Sequence, residues 1–113
     1  MTISYSKFFP PAVLTLVAVT LFTVPSTPAT TLLRGGRVRL TNTTGVAATV
    51  TLYAVPLAGT AGVGNAFVSS KSIAANDFLD ADIPILAAGD FLQGLAGTVT
   101  SITVQMLSGS YFS

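Results

Sequence analysis

The side chains able to carry chemistry are few: the acids Asp77, Asp80, Asp82 and Asp90, the arginines Arg34, Arg37 and Arg39, and the lysines Lys7 and Lys71. Asp77, Asp80 and Asp82 fall within six positions, close enough to suggest a calcium site. Calcium asks for about six to eight oxygen ligands, and this run lacks both the D-x-[DN]-x-[DN]-G spacing and the distal glutamate of an EF-hand loop. The acids read instead as turn-forming and surface aspartates. A carboxylate pair for glycoside hydrolysis would sit in a large cleft with aromatic sugar platforms, and the chain has no tryptophan. It also has no histidine, cysteine or glutamate, which rules out a Ser-His-Asp or Cys-His nucleophile, a Cys/His zinc site and a disulfide framework. The expectation is no enzyme, no cofactor, no metal and no small-molecule substrate.

Arg34, Arg37 and Arg39 form the one basic cluster. Strand alternation places Arg37 and Arg39 on one face and Arg34 on the other. A net charge of +1 gives too weak a field to hold a polyanion, so nucleic acid is not an expected partner. The arginines are expected to present bidentate forks to aspartates of the same or an adjacent subunit. Phe8, Phe9, Tyr111 and Phe112 put aromatics near both ends of the sequence, where polar mobile residues are usual, and suggest docking into the chain's own core or a neighbouring subunit. Phe8, Phe9, Arg34, Arg37, Arg39, Tyr111 and Phe112 are therefore the candidate subunit-interface residues. Gly59, Gly62 and Gly64 fit neither a P-loop nor a dinucleotide fingerprint.

The elements that must position these groups are strands. The chain has 113 residues, 50% hydrophobic and 8% charged, where an ordinary domain carries about 25% charge. So bland a surface predicts cover by other subunits or by a membrane. Met1 to Val24 has the outline of an export signal, with Lys7 before an apolar run and small residues at Ser26 to Ala29. However, Pro10 and Pro11 leave only Ala12 to Val24 uninterrupted, short of the ~20 residues of a spanning helix, and seven of these thirteen are β-branched. This run reads as one strand, apolar on both faces, with Met1 retained and no membrane partner. Thr31 to Asn42, broken at Gly35-Gly36 by a bulge or bend, and Val46 to Val55 read as an antiparallel pair around an Asn42 to Gly45 turn. Val38, Leu40, Val50 and Leu52 face inward, while Thr51 and Tyr53 face out. Ala66 to Ile73, an edge segment Ala81 to Leu86 carrying Pro84, the run Phe91 to Leu95 and a clean alternation over Val99 to Leu107 complete seven or eight strands. The fold class is all-β, a single antiparallel β-sandwich of jelly-roll type over residues 12–113, preceded by an extended arm at 1–11.

Leu21-Phe22-Thr23-Val24-Pro25, Arg37-Val38-Arg39-Leu40-Thr41-Asn42-Thr43-Thr44, Ala48 to Pro56, Gly59-Thr60-Ala61-Gly62, Ile73 to Asp77 and Leu86 to Gln93 resemble small virion proteins of tailed bacteriophages, over roughly residues 20–107. The resemblance implies a structural β-sandwich on the capsid, neck or tail, and transfers no catalytic residue. The expected function is a capsid decoration or cement protein in the virion, a homo-oligomer, a trimer by expectation, that contacts the major capsid protein. A neck or tail accessory protein is one alternative. An exported adhesin or carbohydrate-binding sandwich with a signal peptide is the other.

Overall fold

Short β-branched segments separated by Gly, Pro, Asn and Asp turns give ten strand segments in the computed structural model, which describes residues 3–4, 11–26, 29–97 and 102–112. They are β1 (Ile3–Ser4), β2 (Ala12–Val13), β3 (Val19–Thr23), β4 (Leu32–Asn42), β5 (Ala48–Val55), β6 (Ala66–Ile73), β7 (Phe78–Asp82), β8 (Leu86–Ala87), β9 (Phe91–Ala96) and β10 (Ile102–Phe112). In one sheet β10 and β4 are central, with β1 and β2 on the free side of β10 and β7 and β8 on the free side of β4. The second sheet runs β3-β9-β5-β6. Every pairing among the described residues is antiparallel. The orders β2-β10-β4-β7 and β3-β9-β5-β6 are those of an eight-stranded jelly roll with edge strands split into pieces. The expected all-β sandwich is the fold observed.

The inner faces pack Leu14, Phe22, Val24, Leu33, Val38, Leu40, Val50, Leu52, Leu92, Ile102 and Val104 into one core. Each fully buried Leu or Val contributes about 1.5–3 kcal/mol relative to exposure. Val38, Leu40, Val50, Leu52, Ile102 and Val104 occupy the inward positions their alternation predicts. Thr51, expected outside, is buried because a bulge in β6 folds over it and Ser70 N donates to its Oγ1 at 3.0 Å.

Two topological expectations are overturned. The run 12–24 is not one strand: it bends at Leu16–Val17 and passes from β2 in one sheet to β3 in the other. Leu14 at the crossing is fully buried, its N donating to Ile102 O, and Thr15 O accepts from Ala96 N. Val13, Leu16 and Val17 are exposed, so the two-faced apolar pattern encodes a crossing of the core edge rather than a strand covered on both sides. Likewise β4 and β5 do not pair, because the Asn42 to Gly45 connection carries the chain between sheets. Asn42 is fully buried there, its Nδ2 donating to Val46 O (2.7 Å), Ile73 O (3.0 Å) and Ala74 O (3.2 Å). Its Oδ1 accepts from Thr44 N (3.0 Å) and Thr44 Oγ1 (2.7 Å). Pro84 lies in the gap between β7 and β8, on the sheet edge where a residue without an N–H is tolerated.

Candidate interaction surface

The outer face of β4 carries all three arginines. From Gly36 onward the even positions Val38, Leu40 and Asn42 are buried, yet Leu33 before the glycines is buried too. One extra residue is therefore accommodated between them. Opposite β10, Arg34 pairs with Ser110 and Arg37 with Ser108, three steps against two, and Gly35 takes φ +67°. Between Ser108 and Met106 the irregularity recurs on the β10 side. The first bulge reverses the alternation, so Arg34 shares the outer face with Arg37 and Arg39; the expectation of opposite faces is corrected by the very bulge the glycines suggested.

Arg37 and Arg39 stand directly across from Asp82 and Asp80 of β7. Arg39 Nε donates to Asp80 Oδ1 at 2.8 Å and Nη2 to Oδ2 at 3.0 Å, while the guanidinium lies 4.2 Å from the Phe78 ring centroid. Arg37 Nε stands 2.8 Å from Asp82 Oδ1, with the pair largely exposed. Arg39 thus presents a bidentate fork, and Arg37 a single contact, to aspartates of the same chain. The hydrogen bonds from Arg39 hold the Asp80 carboxyl below its ordinary range against a smaller opposing effect of desolvation, and Asp80 raises Arg39 in return. Asp77 accepts from Phe78 N in its turn, and Asp90 accepts from Leu57 N and Ala87 N, each at 2.9 Å. Among the described residues no three such groups are placed to hold a metal ion.

Arg34 faces no carboxylate among the described residues. Its Cζ lies 5.6 Å from the Phe112 ring centroid, above a groove of about 460 Å³ lined by Gly35, Ser108, Gly109, Ser110 and Phe112. Tyr111, across from Leu33, packs against the core, and burial pushes its phenol up. Both C-terminal aromatics are thus docked on the chain's own sheet, while Phe8 and Phe9 lie outside the described residues. Sequence reasoning expected aspartates opposite the arginines without assigning Asp80 and Asp82, and it missed Phe78 as the ring beside Arg39. The matching two-residue spacing of Arg37/Arg39 and Asp80/Asp82 was the available signal, since antiparallel strands bring equal spacings into register.

Apolar side chains also stand exposed on loops at both ends of the sandwich and beside the second sheet. Leu16, Val17 and Val46 sit on loops at one end, where Ala96 N reaches Thr15 O and Gly97 N reaches Thr49 O. Leu57 lies at the other end beside Asp90, and Val63, in the short 3-10 turn Val63–Asn65, is 97% exposed. The β6 and β7 edges leave between them a groove of about 380 Å³, with Phe67, Val68, Leu79 and Ala81 as floor and Lys71, Asp80 and Asp82 on its rim. No helix among the described residues is long and apolar enough to cross a membrane.

The sequence matches no protein-family model and no curated protein. In structure, a chain of a Bacillus endospore appendage, described as one of a family of disulfide-linked pili, is similar with a TM-score of 0.58 at 16% identity, over 99% of this chain and 88% of that one. Chains of infectious bursal disease virus align more loosely. The VP2 subviral particle gives a TM-score of 0.46 at 16% identity, over 97% of this chain and 31% of that one. The Gt strain gives 0.49 at 13%, over 97% and 32%. This chain spans about a third of the length of those viral chains. The likeness to the appendage chain shows a shared β-sandwich fold.

Proposed function

We propose that this chain is a non-enzymatic structural subunit of a bacteriophage virion, a decoration or cement protein that bridges neighbouring capsid subunits. The observation that carries the reading is the surface. A jelly roll this poor in charge exposes Val13, Leu16, Val17, Val46, Leu57, Val63 and Ile85 on loops and short edge segments, the kind of apolar exposure that other subunits cover. Two of the three arginines on its outer sheet face are neutralised internally by the Arg37–Asp82 and Arg39–Asp80 pairs, which favours close approach of a neighbour there over free solvation. The virion assignment rests on the sequence resemblance to tailed-phage structural proteins. Binding only to the assembled shell would stabilise that state by mass action. The division into an arm at 1–11 and a sandwich at 12–113, the homo-oligomer and its trimeric stoichiometry belong to the same proposal.

A second reading, a subunit of a filamentous appendage, is favoured by the near-complete mutual coverage with the Bacillus endospore appendage chain. Having no cysteine, this chain would hold its neighbours without disulfides. The deciding experiment measures the resistance of purified capsids to heat and internal pressure with and without the protein, alongside electron microscopy of the purified chain. Greater resistance with the protein bound supports cementing and equal resistance overturns it. Open filaments favour the appendage reading, and a chain that stays monomeric and binds no particle removes both.

A further inference from the structure

We propose that the groove under Arg34 docks a carboxylate, supplied by an acidic side chain of a partner protein in the assembly. The inference rests on the structural-subunit reading and names the chemistry of one of its contacts. Two features of the backbone build the groove. Gly35 sits at φ +67°, and a side chain added there would meet nothing within 4 Å, so the glycine serves the backbone conformation rather than space. Gly109 across the ladder sits at φ +144°. The bulge at Gly35 turns Arg34 outward over Phe112, and Ser108 Oγ donates to Gly35 O at 3.0 Å to hold the bulge in place. A bulge that redirects one side chain is a device for aiming it.

What Arg34 is aimed at follows from the charges. The other two arginines of the face are matched by Asp82 and Asp80, and Asp90 is engaged by two backbone N–H groups. Asp77 caps Phe78 N. A second copy would therefore reach Arg34 with an aspartate already serving its own fold, whereas an acidic residue of another protein carries no such cost. Arginine seated on an aromatic ring keeps its outer N–H edge free for a bidentate carboxylate. The lining carries a single aromatic ring and Arg34 stands over it, which favours an acidic side chain over a carboxylated saccharide.

The test is a titration of the isotopically labelled full chain with a capped tetra-aspartate peptide, followed by NMR. Tetra-asparagine peptide, glucuronate and inorganic phosphate are the comparison probes. Expected are saturable, salt-sensitive shifts at the Arg34 side chain and the amides of Ser108, Ser110 and Phe112, absent with tetra-asparagine. Affinity should fall about tenfold in Arg34→Gln and less in Arg34→Lys, which keeps the charge but loses the fork. Unchanged spectra of the core residues show that each variant is folded. The proposal is overturned by no saturable shift, by equal binding in Arg34→Gln, or by equal shifts at Arg37 and Lys71. Tighter binding of phosphate or glucuronate than of the peptide also overturns it, as do concentration-dependent shifts without any probe, which would identify a second copy. Because the titration reads the groove in the free chain, its failure leaves the capsid and filament experiments standing, and their failure leaves the titration standing.

Discussion

Replacing Asn42 removes one buried side chain that ties three chain segments together. Its Nδ2 serves the carbonyls of Val46, Ile73 and Ala74, and its Oδ1 serves Thr44. In Asn42→Leu, a substitution of similar bulk, the buried Ile73 carbonyl loses its side-chain donor, at a cost of about 1–3 kcal/mol for an unsatisfied group. Val46 O keeps Thr44 Oγ1 as a donor at 2.9 Å, so little is lost there. Ala74 O and Thr44 N are partly exposed and lose about 0.5–1.5 kcal/mol each. These losses sum to about 2–6 kcal/mol, and the added apolar burial offsets part of them to leave about 3 kcal/mol, large beside a net stability of about 5–15 kcal/mol. For a chain of this size the melting temperature should fall by roughly 10–15 °C. Urea unfolding should show a lower midpoint at unchanged slope. Asn42→Asp sharpens the test, because its carboxylate would face three carbonyl oxygens. That carboxyl would titrate above its unfolded value, so the variant is most stable in acid and loses stability as pH rises through the raised folded value. A Leu variant within about 0.5 kcal/mol of the parent, or an Asp variant whose deficit does not change with pH, refutes the reasoning.

Three further outcomes follow from the same geometry. Since Arg39 depresses the Asp80 carboxyl in the folded state, the stability it confers is full above the unfolded carboxylate range and is lost as pH falls through the lower folded value. Asp80→Asn should flatten that acid decline in urea midpoints measured against pH. Gly94 lies in the core with its missing Cβ 2.9 Å from Leu52 Cδ2 and 3.2 Å from Leu14 Cδ2, so Gly94→Ala should cost about 1–3 kcal/mol. Leu52→Val in the same chain should recover part of it, and strict additivity in the double-mutant cycle would count against direct contact. Gly35 and Gly45 both have open space for a Cβ, but only Gly35 has positive φ. Gly35→Ala should therefore lower stability by about 1–2 kcal/mol and Gly45→Ala by no more than about 0.5 kcal/mol, as read by thermal melts. Equal effects would deny the backbone its role.

Much of the fold was legible because local pattern and burial are the same statement in a half-buried strand. Val38, Leu40, Val50, Leu52, Ile102 and Val104 point inward for the reason their alternation says they must. The bulge at Gly35-Gly36 was legible as punctuation, but its consequence was not. Whether one inserted residue reverses the face of Arg34 depends on how β10 registers opposite it, and no spacing within β4 carries that information. The aspartates were legible as surface residues. That Asp80 and Asp82 meet Arg39 and Arg37 was not, because β7 lies some forty positions further along the chain.

What the sequence determined by itself is the class: period-two segments, β-branched residues and turn chemistry leave an antiparallel sandwich as the way to bury this much apolar side chain with so few charges. Which strands became neighbours was decided only by the tertiary structure. The run through Leu16–Val17 and the Asn42 to Gly45 connection look locally like a continuous strand and a hairpin, yet both cross between sheets. The physical reason is that a turn fixes only the chain's local direction. The side of the core on which the next strand lands is set by long-range closure, here by Leu14 filling the core edge and Asn42 tying its own connection, at Val46 O, to the distant Ile73 and Ala74 carbonyls.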